Sequence, residues 1–287
     1  MSTVVAGKKG EAKRSHSKSK EPLKSVFIED FYSAALRHNV TLEVILPPWY
    51  DEAVQFSFPT VYFNDGQLLG QVHIKETLAE LYLFNLIPPV IVIGIHAHNR
   101  MQEYGVAGVP DFKKRGNKAD KYSRAVIKEI LPLIRKNFRT LDGVENNAIA
   151  GFSLGGLSAF DIAWNYPHIF GTAGVFSGSF WWRSKGYGHG YDDESDRIMH
   201  KMVRGTDSKS FQRFWFECGT HDEMADRNNN GVIDAIEDTL DLIKELGELG
   251  FVRGRDIEYV EVPGGQHNEA TWAAVMPAFL QWTFGKK

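Results

Sequence analysis

The sequence predicts an α/β fold: a mostly parallel central sheet with helices on both faces. Short, continuous apolar runs alternate with segments of helical periodicity, the pattern of strands buried on both sides by crossover helices. The glycine-rich Gly151-Phe152-Ser153-Leu154-Gly155-Gly156 lies between one such run and one such helix. A loop holding Gly264, Gly265 and His267 follows the last apolar run and precedes the closing helical segment.

Taken in order, residues 25–32 and 40–46 cluster β-formers around the turn residues His38 and Asn39, and open the sheet as a strand pair. The prolines of Pro47-Pro48-Trp49-Tyr50-Asp51 end that pair. Residues 60–64, 90–95, 147–151, 173–176, 213–217 and 256–260 read as the remaining strands. Helical spacing fills the intervals at 74–85, 119–138, 154–166 and 232–249, more loosely around 196–203, and 276–282 belongs to a closing helix. In such a sheet, reacting groups collect in the loops at the carboxyl ends of the strands.

The chain has 287 residues, 43% hydrophobic and 24% charged, the balance of an ordinary globular protein. A domain of this length buries roughly 75% of its unfolded surface, so it needs no disulfide staples. Residues 1–24 carry seven Lys/Arg against two Glu, a balance of +5, which leaves the rest at −8 (−3 minus +5). With almost no apolar residues, 1–24 is expected to be a disordered basic tail, and 25–287 the folded domain. The net charge gives no reason to expect nucleic acid as a partner. No signal-peptide core is visible. The longest apolar run, 87–95, is broken by Pro88 and Pro89 and is far shorter than the ~20 residues that span a bilayer. Cys218 is the only cysteine, so no internal disulfide can form; its neighbours Phe214, Trp215 and Phe216 predict an inert buried thiol. A cytoplasmic location without a membrane partner is the expectation.

Ser153 stands where a strand must turn sharply into a helix, the context that a G-x-S-x-G nucleophile turn requires. Glycine leaves room in so tight a turn, and a helix start aims backbone N–H groups at an incoming oxyanion. Leu154 N–H is one such donor. A serine hydroxyl is a weak nucleophile until a base removes its proton, so a histidine oriented by a carboxylate must lie nearby. In chain order the acid follows the serine and the histidine comes last. Of the downstream histidines, His267 sits directly after the last strand and is preferred. His221 is its rival, His189 lies in a glycine-rich loop, and His168 and His200 read as surface residues. For the acid, Asp222 is preferred at the end of the strand 213–217, with Glu223 as the alternative.

These motifs resemble the α/β-hydrolase esterase family that includes esterase D, enterochelin (siderophore) esterases, feruloyl and acetyl-xylan esterases, and mycolyltransferases. The resemblance covers about 25–287 and rests on VILPPWYD, FPTVYFNDGQ, VIVIGIHAHNRMQEY, GFSLGGLSAF, SGSFWW, FECGTHDE and GGQHNEATW, in the family's order. Siderophore esterases often carry an additional amino-terminal domain; here only the tail precedes residue 25. The resemblance implies an α/β-hydrolase fold, a Ser153–His267–Asp222 triad, and a second oxyanion donor at Gln67 N–H. The implied activity is serine-dependent hydrolysis of a small-molecule or carbohydrate-linked ester, such as a siderophore, feruloyl or acetyl-sugar ester, with no organic cofactor. An acyltransferase using the same triad, or a non-catalytic calcium-dependent binding protein, are the alternatives.

Residues 226–237 fit a twelve-position EF-hand loop. Asp226, Asn228, Asn230 and Asp234 place oxygens at positions 1, 3, 5 and 9, Gly231 stands at 6, Val232 offers its carbonyl at 7, and Glu237 stands at 12. A structural Ca²⁺ is therefore expected, steadying the turn that presents Asp222. Arg100 reads either as a substrate anion contact or as a partner of Glu103. Phe180, Trp181 and Trp182 lie at the catalytic edge, where stacking on an aromatic or sugar group is the functional reading. His96 and His98 read as polar lining of the cleft.

Overall fold

Alternate residues of the central strands feed two separate cores, one on each face of the sheet. The computed structural model describes residues 23–207 and 211–285. Among the described residues eight strands form one sheet: β1 (Ser25–Ser33), β2 (His38–Ile45), β3 (Thr60–Asn64), β4 (Ile91–Ile95), β5 (Asn147–Phe152), β6 (Thr172–Phe176), β7 (Arg213–His221) and β8 (Ile257–Gln266). Their spatial order is β1-β2-β4-β3-β5-β6-β7-β8. β1 pairs antiparallel with β2, and β2 with β4; every other pairing is parallel. The carboxyl ends of β3 to β8 therefore share one edge.

The helices are α1 (Ile74–Leu83), α2 (Arg100–Glu103), α3 (Ala119–Ala125), α4 (Leu131–Asn137), α5 (Leu154–Asn165), α6 (Asp193–Asp196), α7 (Ile198–Arg204), α8 (Asp234–Glu248) and α9 (Glu269–Phe284). Tyr62, Ile93, Ile149, Phe214 and Phe216 face the core under α3, α4, α5, α7 and α8. Val61, Phe63, Val92, Ala150, Phe152 and Trp215 face the core under α1 and α9. This two-sided burial explains why the strands read as unbroken apolar runs. Each such side chain contributes about 1.5–3 kcal/mol through burial. None of the described helices is long and apolar enough to cross a membrane.

Between α3 and α4 the helix widens into a π turn at Val126–Ile130, where Leu131 N–H reaches back to Val126 O. Pro132 follows; its ring would crowd the carbonyl four residues earlier in a regular α-helix, and the wider turn relieves that.

The structure departs from the sequence-based boundaries in four places. Leu23 is already buried and Lys24 O accepts from Leu46 N–H, so the folded domain includes two residues assigned to the tail. The rest of that predicted tail, 1–22, lies outside the described residues. His38 and Asn39 belong to β2, and the turn occupies 34–37, with Arg37 left-handed at φ 62°. β7 runs on to His221 and β8 to Gln266, well beyond the predicted ends. Pro263, Gly264 and Gly265 punctuate β8 like a turn, but an edge strand tolerates them because one side needs no ladder bonds.

A close backbone approach at the active edge gives a test. A Cβ on Gly66 would press on the backbone carbon of Gly94 in β4, which cannot swing aside. One on Gly94 would first meet a movable Leu69 methyl, at 2.6 Å. Gly66→Ala should destabilise the fold by about 2 kcal/mol and Gly94→Ala by less, as read from denaturant midpoints.

Candidate active site

β5 passes into α5 through Ser153, whose backbone is held at φ 56° and ψ −119°. A non-glycine residue occupies that region only when its surroundings enforce it. Ser153 N–H donates to Phe176 O at 2.8 Å, tying the turn to the end of β6. A Cβ on Gly151 would collide with Gly155 O, and one on Gly155 would lie 2.6 Å from Asp65 Oδ2. These contacts are the local reason for glycine on both sides of the serine. Ser153 Oγ is partly exposed and lies 3.3 Å from Ser179 Oγ. Leu154 begins α5, so its N–H has no intrahelical acceptor.

The loop after β3 packs against this turn. Asn64 donates from Nδ2 to Gly155 O at 2.8 Å and accepts from the Tyr122 hydroxyl at 2.7 Å. Asp65 is fully buried and left-handed at φ 59°, and its N–H donates to the Tyr104 hydroxyl at 2.8 Å. Gln67 stands exposed in the 3₁₀ turn Gly66–Leu68. Its side chain accepts from Ala97 N–H at 3.1 Å and donates to Asp65 Oδ1 at 3.2 Å.

Arg100 joins the two loops. Its Nε donates to Asp65 Oδ1 at 3.0 Å, and its Nη2 to Phe152 O at 2.9 Å. The expected pairing with Glu103 is not made, because Glu103 is taken by His38 Nε2 at 2.8 Å. The guanidinium thus ties the loop to the turn through Nε and Nη2. Burial raises the Asp65 carboxyl above the usual range, and Arg100 opposes that shift.

At the end of β7, Asp222 is half-buried. Burial raises its carboxyl above the ordinary value, opposed by the Ser177 hydroxyl and then by His267. Ser177 faces this carboxylate without closing a bond of standard geometry, for both Asp222 oxygens lack a hydrogen-bond partner. His267 follows β8 immediately, exposed on one side and set edge-on to Trp272 with ring centroids 5.4 Å apart. Trp272 in turn stacks on Phe152 at 4.9 Å, next to Ser153. Burial lowers the imidazole below its usual range; Asp222 opposes this, and Arg100 adds to it. Asp222 and then Glu269 are the carboxylates that favour the charged form of His267. Glu223 is raised by burial and then by Asp234, with Asp238 and the Ala235 amide as further neighbours, all at α8.

Other expected site residues lie apart from this edge or inside the core. Trp182 is fully buried, donates from Nε1 to Val109 O at 3.1 Å and packs on Gly105 and Gly116. It cannot present a ring to substrate. Phe180 is likewise buried, whereas Trp181 keeps a partly open face under Arg115, whose guanidinium carbon lies 4.7 Å from the ring centre. His200 is a core residue rather than a surface one, with Nε2 2.8 Å from Asp238 O, and burial pushes it down to about 3. His221 is exposed at the end of β7, and His98 stacks on His38 at 4.4 Å. Cys218 is fully buried 3.2 Å from the Thr239 hydroxyl, as its neighbours foretold.

In the 226–237 loop, Asp226 accepts from Asn230 N–H at 3.1 Å and Gly231 N–H at 2.9 Å, and Gly231 is left-handed at φ 86°. The side-chain amides of Asn228 and Asn230 both converge on Glu237 Oε1 at 2.7 Å. Their amide oxygens accept from backbone N–H groups, Asn228 Oδ1 from Asn230 at 3.1 Å and Asn230 Oδ1 from Val232 at 2.8 Å. Asp234 does not join them: it accepts from Arg227 N–H at 2.9 Å and faces the Arg227 guanidinium at 3.2 Å. Arg227 also lies 3.4 Å from Glu237 Oε2. Among the described residues no three His, Cys, Asp or Glu side chains gather as a metal site, so a cation here would depend on amide and carbonyl oxygens.

The sheet order and its flanking helices are those of an α/β-hydrolase-type fold. Residues 33–283 match the family described as "Putative esterase", and the chain belongs to that family of carboxylic ester hydrolases. It is 26% identical over 252 residues to the uncharacterized protein YbbA of Bacillus subtilis, across 86% of this chain and 94% of that one. The enterochelin esterase of Shigella flexneri superposes with a TM-score of 0.71 at 20% identity, covering 92% of this chain and 58% of its own. The CE1 ferulic acid esterase of the fungus Anaeromyces mucronatus gives 0.62 at 21% identity, covering 94% and 92%. The chain thus spans little more than half of the Shigella protein.

The sequence did not single out Asp65 as the partner of Arg100, nor Ser177, Ser179, Glu217 and Trp272. A usable signal was polar residues at the ends of apolar strands: Asn64, Ser177 and Glu217 each close such a run. Arg100→Met leaves buried Asp65 unpaired; because Arg100 is one-third exposed, about 2–3 kcal/mol of stability should be lost, less than for a fully buried pair. Asp65→Asn added to it should restore part of that loss in the same denaturant titration.

Proposed function

We propose that the protein hydrolyses esters through a Ser153–His267–Asp222 triad and an acyl-enzyme. The observation that carries this reading is the backbone of Ser153, held at φ 56° and ψ −119° at the start of α5. His267 takes the Ser153 hydroxyl proton as Oγ forms a bond to the ester carbonyl carbon. The carbonyl oxygen becomes an oxyanion, held by the N–H groups of Leu154 and Gln67. His267 then gives its proton to the leaving alcohol as the C–O bond breaks. Water, giving a proton to His267, attacks the acyl carbon; the C–Oγ bond then breaks as His267 returns that proton to Ser153 Oγ, releasing the acid. Asp222 holds the imidazole and stabilises its charged form in both halves.

A small-molecule or carbohydrate-linked ester is the substrate class we propose, with siderophore, feruloyl and acetyl-sugar esters as its members. Support comes from the similar solved structures, one an enterochelin esterase and one a ferulic acid esterase. Trp181, in the loop after β6 and partly exposed, is the aromatic surface we assign to such a group. Ser153→Ala should abolish release of nitrophenol from nitrophenyl acetate while the circular dichroism spectrum stays unchanged. Retained turnover contradicts the triad. In the unsubstituted enzyme, kcat/KM should rise with pH at a midpoint below that of an ordinary imidazole, because neutral His267 is the active base and its pKa is lowered. Arg100→Met should move that midpoint upward.

We also propose Ca²⁺ as a structural ion of the 226–237 loop, held by Asp226, Asn228, Asn230 and Glu237 after local rearrangement of the two amides, with Asp234 turned aside. Bound there, it would link the segment following Asp222 to the start of α8. Arg227 already neutralises part of this loop, which favours weak binding. Adding Ca²⁺ at a hundred times its Kd should raise stability by about 2.7 kcal/mol, and Glu237→Gln should remove the effect. A melting temperature indifferent to Ca²⁺ and to chelator contradicts this assignment.

A further inference from the structure

Beneath the triad acid lies a second carboxyl group to which the ester-hydrolysis reading gives no task. Glu217, near the end of β7, is 1% exposed. Its Oε2 lies 3.4 Å from Ser177 Oγ, and its Oε1 is buried with no partner. Ser177 sits at the end of β6, left-handed at φ 48°, with its N–H donating to Glu217 O at 2.9 Å. Trp272 Nε1–H donates to Ser177 Oγ at 2.9 Å. The same indole stacks on Phe152 and touches His267, so this small network adjoins both nucleophile and base.

A hydrogen count favours a protonated Glu217. The Ser177 hydroxyl has one hydrogen and two lone pairs, and Trp272 occupies one lone pair. Asp222, with both oxygens unpartnered, needs that hydrogen. An ionised Glu217 would compete for it, whereas a protonated Glu217 can donate to the remaining lone pair and leave it free. We propose that Glu217 is a positioning residue: as an uncharged acid it donates to Ser177, so that the Ser177 hydroxyl is aimed at Asp222 and Asp222 stays the only negative charge behind His267. This inference rests on the triad reading.

The surroundings favour the neutral acid. The titratable group acting on Glu217 from its own face of the sheet is Asp222, beyond the end of β7; the adjoining Cys218 thiol, and Tyr259 of β8, which pairs with Phe216, point to the other face. Ser177 from β6 and Trp272 from α9 are uncharged, and among the described residues no cation acts on it. Burial, then Asp222, push the carboxyl up to about 8, and only Ser177 opposes them. A carboxyl raised in the folded state gives stability that is complete below its unfolded value of 4.5 and is lost as pH rises through 8.

Two substitutions test the proposal. Glu217→Gln keeps an N–H donor for Ser177 and should hold kcat on nitrophenyl acetate within about twofold at neutral pH, whereas Glu217→Leu removes the donor and should lower kcat about tenfold with KM unchanged, the effect of one hydrogen bond. Between pH 5 and 9 the melting temperature of the unsubstituted protein should fall more steeply than that of Glu217→Gln. This comparison does not depend on activity, and it holds even where Glu217→Leu fails to fold. Wild-type kcat in Glu217→Leu, equal losses in both variants, or parallel stability curves would overturn the assignment. Ser153→Ala separates the two ideas: activity without Ser153 defeats the triad itself, while a dead Ser153→Ala beside a fully active Glu217→Leu defeats only the role of Glu217.

Discussion

The backbone of Ser153 is the constraint on which the catalytic edge depends. A serine at φ 56° and ψ −119° costs on the order of 1–3 kcal/mol and persists only where its neighbours leave no alternative. Here the turn is gripped from three sides. β6 accepts its N–H through Phe176 O, the loop after β3 presses Asn64 and Asp65 against Gly155, and Arg100 holds Phe152 O. Two of these grips come from parallel strands flanking β5, and the third from the loop beyond β4. The open sheet thus supplies the force that keeps the hydroxyl raised from its edge.

The acid side follows a different logic. Asp65, Asp222 and Glu217 are three carboxyl groups at one edge, each raised by burial, and the surroundings answer each differently. Arg100 compensates Asp65 with a full positive charge. Asp222 faces His267, whose charged form it favours. Glu217 has only a hydroxyl, so remaining protonated is its cheapest state. On the proposed reading, this edge holds three acids of which Asp222 keeps its charge for the imidazole.

Much of this architecture was legible in the sequence because two-sided strands and crossover helices write distinct periods. β3, β4, β5 and β6 fall within a residue or two of the expected limits. β8 was cut short because Pro263, Gly264 and Gly265 are turn residues by composition, and only the exposed position at the sheet edge makes them acceptable in a strand. Ser153, Asp222 and His267, the proposed triad, stand out in the sequence because each follows an apolar run. The polar ties between loops could not: Arg100 was expected to reach Glu103, three residues along its own helix, but it pairs with Asp65, across two strands. Trp182 and His200 carry no local mark of burial, since an aromatic or a histidine suits a cleft as well as a core. Only the packing of Gly105 and Gly116 on the Trp182 ring decides that case.

The central claim is that one serine is activated by one histidine at this edge, and covalent labelling tests it most directly. Treatment with a fluorophosphonate probe, followed by peptide mass spectrometry, should place a single adduct on Ser153. His267→Ala should suppress that adduct in protein that remains folded. Labelling at another serine, or equal labelling of Ser153 with and without His267, would contradict the account.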